Sequence, residues 1–174
     1  MVNFENLKLV ALGNPLLDMQ VRDGQDVLQK YGLKPNDAVL ASPEQLSIYE
    51  HLVENYQVTY VAGGAAQNTA RCAQYALPEG STAYLGCVGN DDLAQQLRAA
   101  NEREGLQSVY QVVNDTPTGS CAVVITGHDR SLCTNLGAAE KFDKSHLDSQ
   151  EAKAAIEAAK FFYIGGFFLT HGVE

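Results

Sequence analysis

Short apolar or β-branched runs alternate with stretches of helical periodicity along most of this 174-residue chain, and that alternation restricts its fold more than any other feature. A strand, a crossover helix and a second strand form the repeating unit of a parallel sheet, which must be covered by helices on both faces. Residues 7–12 read as a buried strand that stops at Gly13-Asn14-Pro15. Residues 26–31 suit a short helix closed by Gly32. Ser42, Pro43 and Gln45 fit a capping box, after which Leu46, Tyr49, Val53 and Tyr56 recur on one apolar face. Strands are expected over 57–61, 82–88, 108–113 and 161–165. Helices are expected over 68–75, over 91–103 with Leu93 and Leu97 on one face and Gly105 as the stop, and from an Asp148/Glu151 cap to about Lys160. Residues 120–126 and 131–136 read as a hairpin joined by the four-residue connection Gly127-His128-Asp129-Arg130. That hairpin breaks the rhythm and suits a separate small sheet.

Several function classes drop out on composition. Apolar residues at 45% and charged residues at 19% describe a chain that buries a core. A net charge of −9 repels phosphate, which disfavours nucleic acid and anionic membranes as partners. The most apolar stretch, residues 161–169, is far shorter than the roughly 20 residues a membrane helix needs, so no membrane span is expected. Cys72, Cys87, Cys121 and Cys133 are dispersed without a CxxC, and the four histidines form no HxxxH pair, so no zinc-type metal site is expected. The first residues lack the basic-then-apolar pattern of a secretory leader. A reducing, cytoplasmic (or also nuclear) home with four free thiols follows.

Two places suggest ligand chemistry. In Ala62-Gly63-Gly64-Ala65-Ala66-Gln67-Asn68, two glycines after a strand allow close backbone approach to a ligand, and the following helix aims its N–H groups back at it. The spacing differs from the GxGxxG dinucleotide fingerprint, which makes a nicotinamide-dependent oxidoreductase a poor fit; a plain strand–helix turn fits as well. Asn14 and Asp18 together suit vicinal hydroxyls, since a carboxylate accepts from two donors and an amide both donates and accepts. Taken alone they fit equally a turn residue and a surface carboxylate.

Five blocks in one order decide between these readings: Gly13-Asn14-Pro15-Leu16-Leu17-Asp18; Ala62-Gly63-Gly64 with Gln67-Asn68; Pro117-Thr118-Gly119; Arg130-Ser131-Leu132 with Asn135-Leu136; and Gly166-Phe167-Phe168-Leu169-Thr170. Together they resemble the ribokinase-like (PfkB) carbohydrate kinases, and within that family the branch acting on adenosine, from about Val10 to the last residue. The resemblance implies a ribokinase-like α/β fold with a β-sheet lid, its strands around 14–22, 37–41 and 117–139. It implies transfer of a phosphoryl group from ATP, accompanied by Mg²⁺, to the 5′-hydroxyl of adenosine, by a protein that is monomeric when full length. Asn14, Asp18, Gly63, Gly64 and Asn68 would then hold the ribose. Leu16, Leu40, Cys121, Leu132, Leu136 and Phe168 would wall the base pocket. Arg130, in the lid hairpin, would meet phosphate charge. The family's Gly-Ala-Gly-Asp signature, which carries the catalytic base, is missing from these residues, and the resemblance puts both it and the family's Asn-x-x-Glu magnesium and phosphate motif in a C-terminal half. The chain therefore reads as an N-terminal half, without the C-terminal nucleotide-binding part, a base or a metal site, and inactive alone. A sugar kinase of the same fold and a non-catalytic truncated fragment are the alternatives.

Overall fold

The computed structural model describes residues 4–171 of the chain. Its first sheet is all parallel, in the order β6(Gln107–Val113), β5(Thr82–Gly89), β1(Leu9–Leu12), β9(Phe161–Ile164). Every residue of β5 is buried, as a strand covered on both faces must be. On one face lie α3(Ala65–Ala76) and α4(Asp92–Arg103), which bring Ala66, Ala70, Leu97 and Ala100 against Tyr84, Val88 and Tyr110. Small residues on the helices let their backbones approach the sheet closely. On the other face α5(Gln150–Ala158) and 3₁₀ turns at Gly137–Glu140 and Lys144–Asp148 bring Ala138, Phe142, Ala152 and Ala155 onto Val10, Ala83, Leu85 and Val109. The alternation read from sequence thus yields the expected parallel sheet with helices on both faces.

The second sheet is mixed, in the order β3(Ala38–Leu40), β8(Asp129–Asn135), β7(Ser120–Thr126), β2(Leu16–Arg22), β4(Thr59–Gly63). Its β7–β8 and β2–β4 pairs are antiparallel, while β2–β7 and β3–β8 are parallel. Helices α1(Gln25–Tyr31) and α2(Ile48–Asn55) cover one face of it through Val27, Leu28, Ile48 and Leu52, packed on Val21, Ala122, Val124 and Cys133. The glycine that ends α1, Gly32, takes φ +64, as a left-handed cap requires.

Several boundaries differ from the sequence reading, each for a local reason. The expected 57–61 strand is shifted to 59–63 and joins the second sheet, antiparallel to β2. The Ser42/Gln45 box is present, but it opens a 3₁₀ turn, Pro43–Gln45, and not the helix itself. The helix restarts at Ile48, so its buried side is Ile48 and Leu52; Leu46 and Val53, expected inside, are exposed. Ser149, and not Asp148, caps α5, its Oγ accepting from the Ala152 amide. α3 begins at Ala65, directly after Gly64. The β7–β8 hairpin turns over Gly127 and His128 alone: Thr126 pairs with Asp129 and Ile125 with Arg130, so Arg130 is a strand residue and not part of the connection. Gly127 adopts φ +61, which a two-residue turn demands and glycine supplies without strain.

Candidate functional site

A cleft of about 340 Å³ opens where the C-terminal ends of β1 and β9 meet the second sheet and the start of α3. In open parallel sheets this is the side on which ligands bind. Asn14, Leu16, Leu40, Gly64, Leu136 and Phe168, all expected to be site residues, line it together. Sequence reasoning missed Val39, Thr134, Tyr163 and Phe167, which also line it. For Tyr163 and Phe167 the signal was the aromatic run Phe161-Phe162-Tyr163-Ile164-Gly165-Gly166-Phe167-Phe168, read only as a strand and a motif. Leu136 is buried, whereas Leu40 is 51% exposed and stands at the mouth. Phe168 meets Phe142 edge-on, with ring centroids 5.6 Å apart.

Asn14 is buried at this junction. Its Nδ2 donates to the Ala139 carbonyl at 2.9 Å and to that of His171 at 3.4 Å. Those bonds orient the amide and leave Oδ1 buried without a partner among the described residues. A buried carbonyl oxygen of that kind costs free energy unless a donor reaches it.

Asp18 lies two residues beyond the cleft-lining Leu16, on β2 between Val61 of β4 and Cys121 of β7. It is 7% exposed, and its Oδ2 accepts from the Arg130 guanidinium at 3.2 Å. Burial pushes its carboxyl above the ordinary aspartate range, while Arg130 and then Arg71 pull in the other direction. Gly63 is what lets the carboxylate sit there, since a Cβ at Gly63 would collide with it. Gly64, at φ +91, likewise passes against the Asn14 carbonyl, where no side chain would fit. The paired glycines therefore serve as the floor on which Asn14 and Asp18 are set.

The remaining expected residues fall outside the lining. Asn68 is exposed on α3, its Oδ1 accepting from Arg71 at 3.0 Å. Arg71 also donates to the Ala62 carbonyl and makes a two-pronged contact with Glu104, which ties α3 to the end of α4. Sequence reading passed over Arg71 because an arginine on a helix is ordinarily solvated. Cys121 is buried beside Asp18, its partner in the β2–β7 ladder, with Thr134 Oγ1 donating to its Sγ at 3.1 Å; burial pushes its thiol up to about 12, which disfavours a thiolate. Leu132 sits on β8 beside Ala38 and Val123 and two residues before Thr134, so it shares the cleft-facing side of the second sheet without being part of the lining. Thr118 anchors the entry to β7: its amide and hydroxyl both donate to Asp91, at 2.8 and 2.6 Å.

The comparisons with known proteins agree with this architecture. Residues 26–173 match the pfkB family carbohydrate kinase model. The chain belongs to that family. It is 58% identical over 166 residues to an adenosine kinase of Schizophyllum commune and 50% identical to that of Saccharomyces cerevisiae, covering 95% and 93% of this chain and 48% of each relative. Among solved structures it is similar to Anopheles gambiae adenosine kinase in complex with P1,P4-di(adenosine-5) tetraphosphate, with a TM-score of 0.87 at 44% identity. That match covers 94% of this chain and 49% of the other. A Schistosoma mansoni adenosine kinase in complex with adenosine gives 0.86 at 30%, covering 94% and 48%. The chain spans about half the length of the relatives it matches. A pfkB kinase uses ATP, usually with Mg²⁺; among the described residues no group of three or more His, Cys, Asp or Glu side chains could hold a metal ion.

Proposed function

We propose that these residues form the nucleoside-binding part of a kinase that phosphorylates adenosine at its 5′-hydroxyl with ATP, in purine salvage. The observation that carries the reading is a buried polar pair, Asn14, whose Oδ1 has no partner among the described residues, and Asp18 at 7% exposure, at the edge of a cleft whose other walls are mainly apolar. A nucleoside has that polarity: a diol at one end and an aromatic base at the other. The relatives' identity supports the choice.

In this reading Asp18 accepts from the ribose hydroxyls and Asn14 Oδ1 takes a further donor. Gly63 and Gly64 let the sugar approach the backbone, and Asn68 stands beside it on the first turns of α3. Leu16, Leu40, Leu136 and Phe168 enclose the base. Cys121 and Leu132, on the same face of the second sheet, extend this wall past the cleft lining. The second sheet, with the expected lid strands around 14–22, 37–41 and 117–139 and β4 added, acts as the lid. Arg130 holds Asp18 until the hydroxyls arrive; its half-exposed side chain then turns to the phosphoryl group, where a guanidinium neutralises developing charge. The 5′-oxygen attacks the γ-phosphorus, ADP leaves, and the hydroxyl proton goes to a base that we assign outside these 174 residues, together with most of the ATP site. Mg²⁺, arriving with ATP, supplies charge neutralisation on the phosphates. A free sugar would need mostly polar walls, which disfavours the sugar-kinase alternative. Four free cysteines fit a reducing cytoplasm, and no oligomeric contact is required for the site.

The test is kcat/KM for adenosine against ribose in the protein that carries these residues. Preference for adenosine by about a hundredfold or more is expected from burial of a purine. Equal use of ribose would refute the assignment.

A further inference from the structure

We propose that Gln67 is a positioning residue for the nucleoside: a buried amide, locked by Tyr110 and Asn101, that fixes the Gly63–Gly64 segment on which Asp18 and Asn14 rest. The proposal depends on the nucleoside reading above, and its test separates the two.

Gln67 is 0% exposed, an unusual place for a glutamine. It is the third residue of α3, where a glutamine in a capping box would turn its oxygen to the backbone N–H of the cap residue. Here the opposite end is used. Nε2 donates to the Gly63 carbonyl at 2.9 Å, one residue before the cap. Its Oε1 accepts from the Tyr110 hydroxyl and from Asn101 Nδ2 at 3.3 Å. Asn101 Nδ2 also donates to the Tyr110 oxygen at 2.8 Å, which commits the Tyr110 proton to Gln67. The bonds therefore run in one direction, from Asn101 through Tyr110 and Gln67 to Gly63, and the amide cannot flip without breaking them. The Tyr110 ring is itself fixed, edge-on to Tyr84 at 6.0 Å and under the Arg98 guanidinium at 4.9 Å.

Such a lock answers a need created by the glycines. Neither Gly63 nor Gly64 can carry a side chain, because the Asp18 carboxylate and the Asn14 carbonyl occupy that space. Two consecutive glycines have little conformational preference of their own. The β4 ladder ends at Gly63, paired with Leu16, and without the Gln67 bond the peptide leading into Gly64 would turn more readily, so that the carboxylate and amide lose their spacing.

Gln67→Met keeps the side-chain length and removes both the donor to Gly63 and the acceptor for Tyr110 and Asn101. Tyr110→Phe, remote from the cleft, removes only the hydroxyl and serves if the first variant folds poorly. Hydrogen exchange at the Asn68 amide, which donates to the Gly64 carbonyl at 2.9 Å, reports the segment directly. Exchange there should quicken about tenfold or more relative to amides late in α3. The adenosine KM should rise about tenfold, while kcat at saturation falls by no more than about threefold. Combined with Asp18→Asn, the Gln67 effect should shrink, because the two act on one contact. If Asp18→Asn raises KM but neither Gln67→Met nor Tyr110→Phe does, the positioning role is overturned while the nucleoside reading stands. If no variant moves KM, both fall. Unchanged exchange at Asn68 in both variants overturns the lock whatever the kinetics show.

Discussion

Asp18→Asn separates ligand binding from stability. Asp18 is almost fully buried, yet its partner Arg130 has a side chain that is 52% exposed, so the ion pair contributes at most about 1 kcal/mol to folding. Burial already disfavours the charged form, as the raised pKa records. The neutral asparagine should therefore fold with stability within about 1 kcal/mol of the parent. Ligand binding should respond differently. A charged acceptor facing a buried hydroxyl is worth about 1.5–3 kcal/mol, so the adenosine KM should rise about 10- to 150-fold. The pH dependence has a definite sign. Because the folded pKa lies above the unfolded one, the neutral carboxyl favours folding below the unfolded value, and that contribution is lost as pH rises through the folded value. Binding runs the other way: it needs the carboxylate, so the parent's KM should climb as pH falls through the raised pKa. The asparagine variant should lack this acid limb. Steady-state kinetics across pH, with urea unfolding of both proteins, provide the assay. A KM within about twofold of the parent at neutral pH, or an acid limb that survives in the variant, would refute the reasoning.

Arg130→Met should shift that acid limb to higher pH, because the cation that opposes the burial effect is gone, and should lower kcat more than it raises KM; lysine should rescue in part, lacking the forked donor geometry. A pH profile that does not move would sink the Asp18–Arg130 coupling. Phe168→Ala should weaken adenosine binding by about 1–3 kcal/mol through lost apolar contact, and Leu40→Ala, at the exposed mouth, by less, both measurable by calorimetric titration. These 174 residues expressed alone should show no phosphoryl transfer from ATP to adenosine; turnover at the usual kinase rate of about 1–100 per second would place a base within them.

Much of this architecture was legible because local signals agreed with burial. Asp91 and Gly105 bracket α4 as cap and stop, and the apolar runs of β1 and β5 have no polar face to present. The failures occurred where two local signals compete. The Ser42 box is real, but a proline-led 3₁₀ turn exhausts it within three residues, and the helical period restarts in a different phase at Ile48. At 127–130 the composition is that of a loop throughout, and only the pairing of Thr126 with Asp129 reveals the tighter turn. For the cleft, residue identity picked out Asn14, Leu16, Leu40, Gly64, Leu136 and Phe168, which line it. Identity alone could not show that Cys121 stands beside Asp18 in the ladder, that Leu132 stands beside Ala38, that Arg130 rests on a carboxylate, or that Gln67 faces inward. Those facts depend on register between strands and helices distant in sequence.

The most direct measurement is the crystal structure of the adenosine complex of the protein carrying these residues. The ribose hydroxyls should lie within about 2.5–3.0 Å of the Asp18 carboxylate, with the purine between Leu16, Leu136 and Phe168 and the 5′-hydroxyl directed toward open solvent or the ATP site. Adenosine bound with its ribose turned away from Asp18 and Asn14, or seated outside the cleft, would contradict the account.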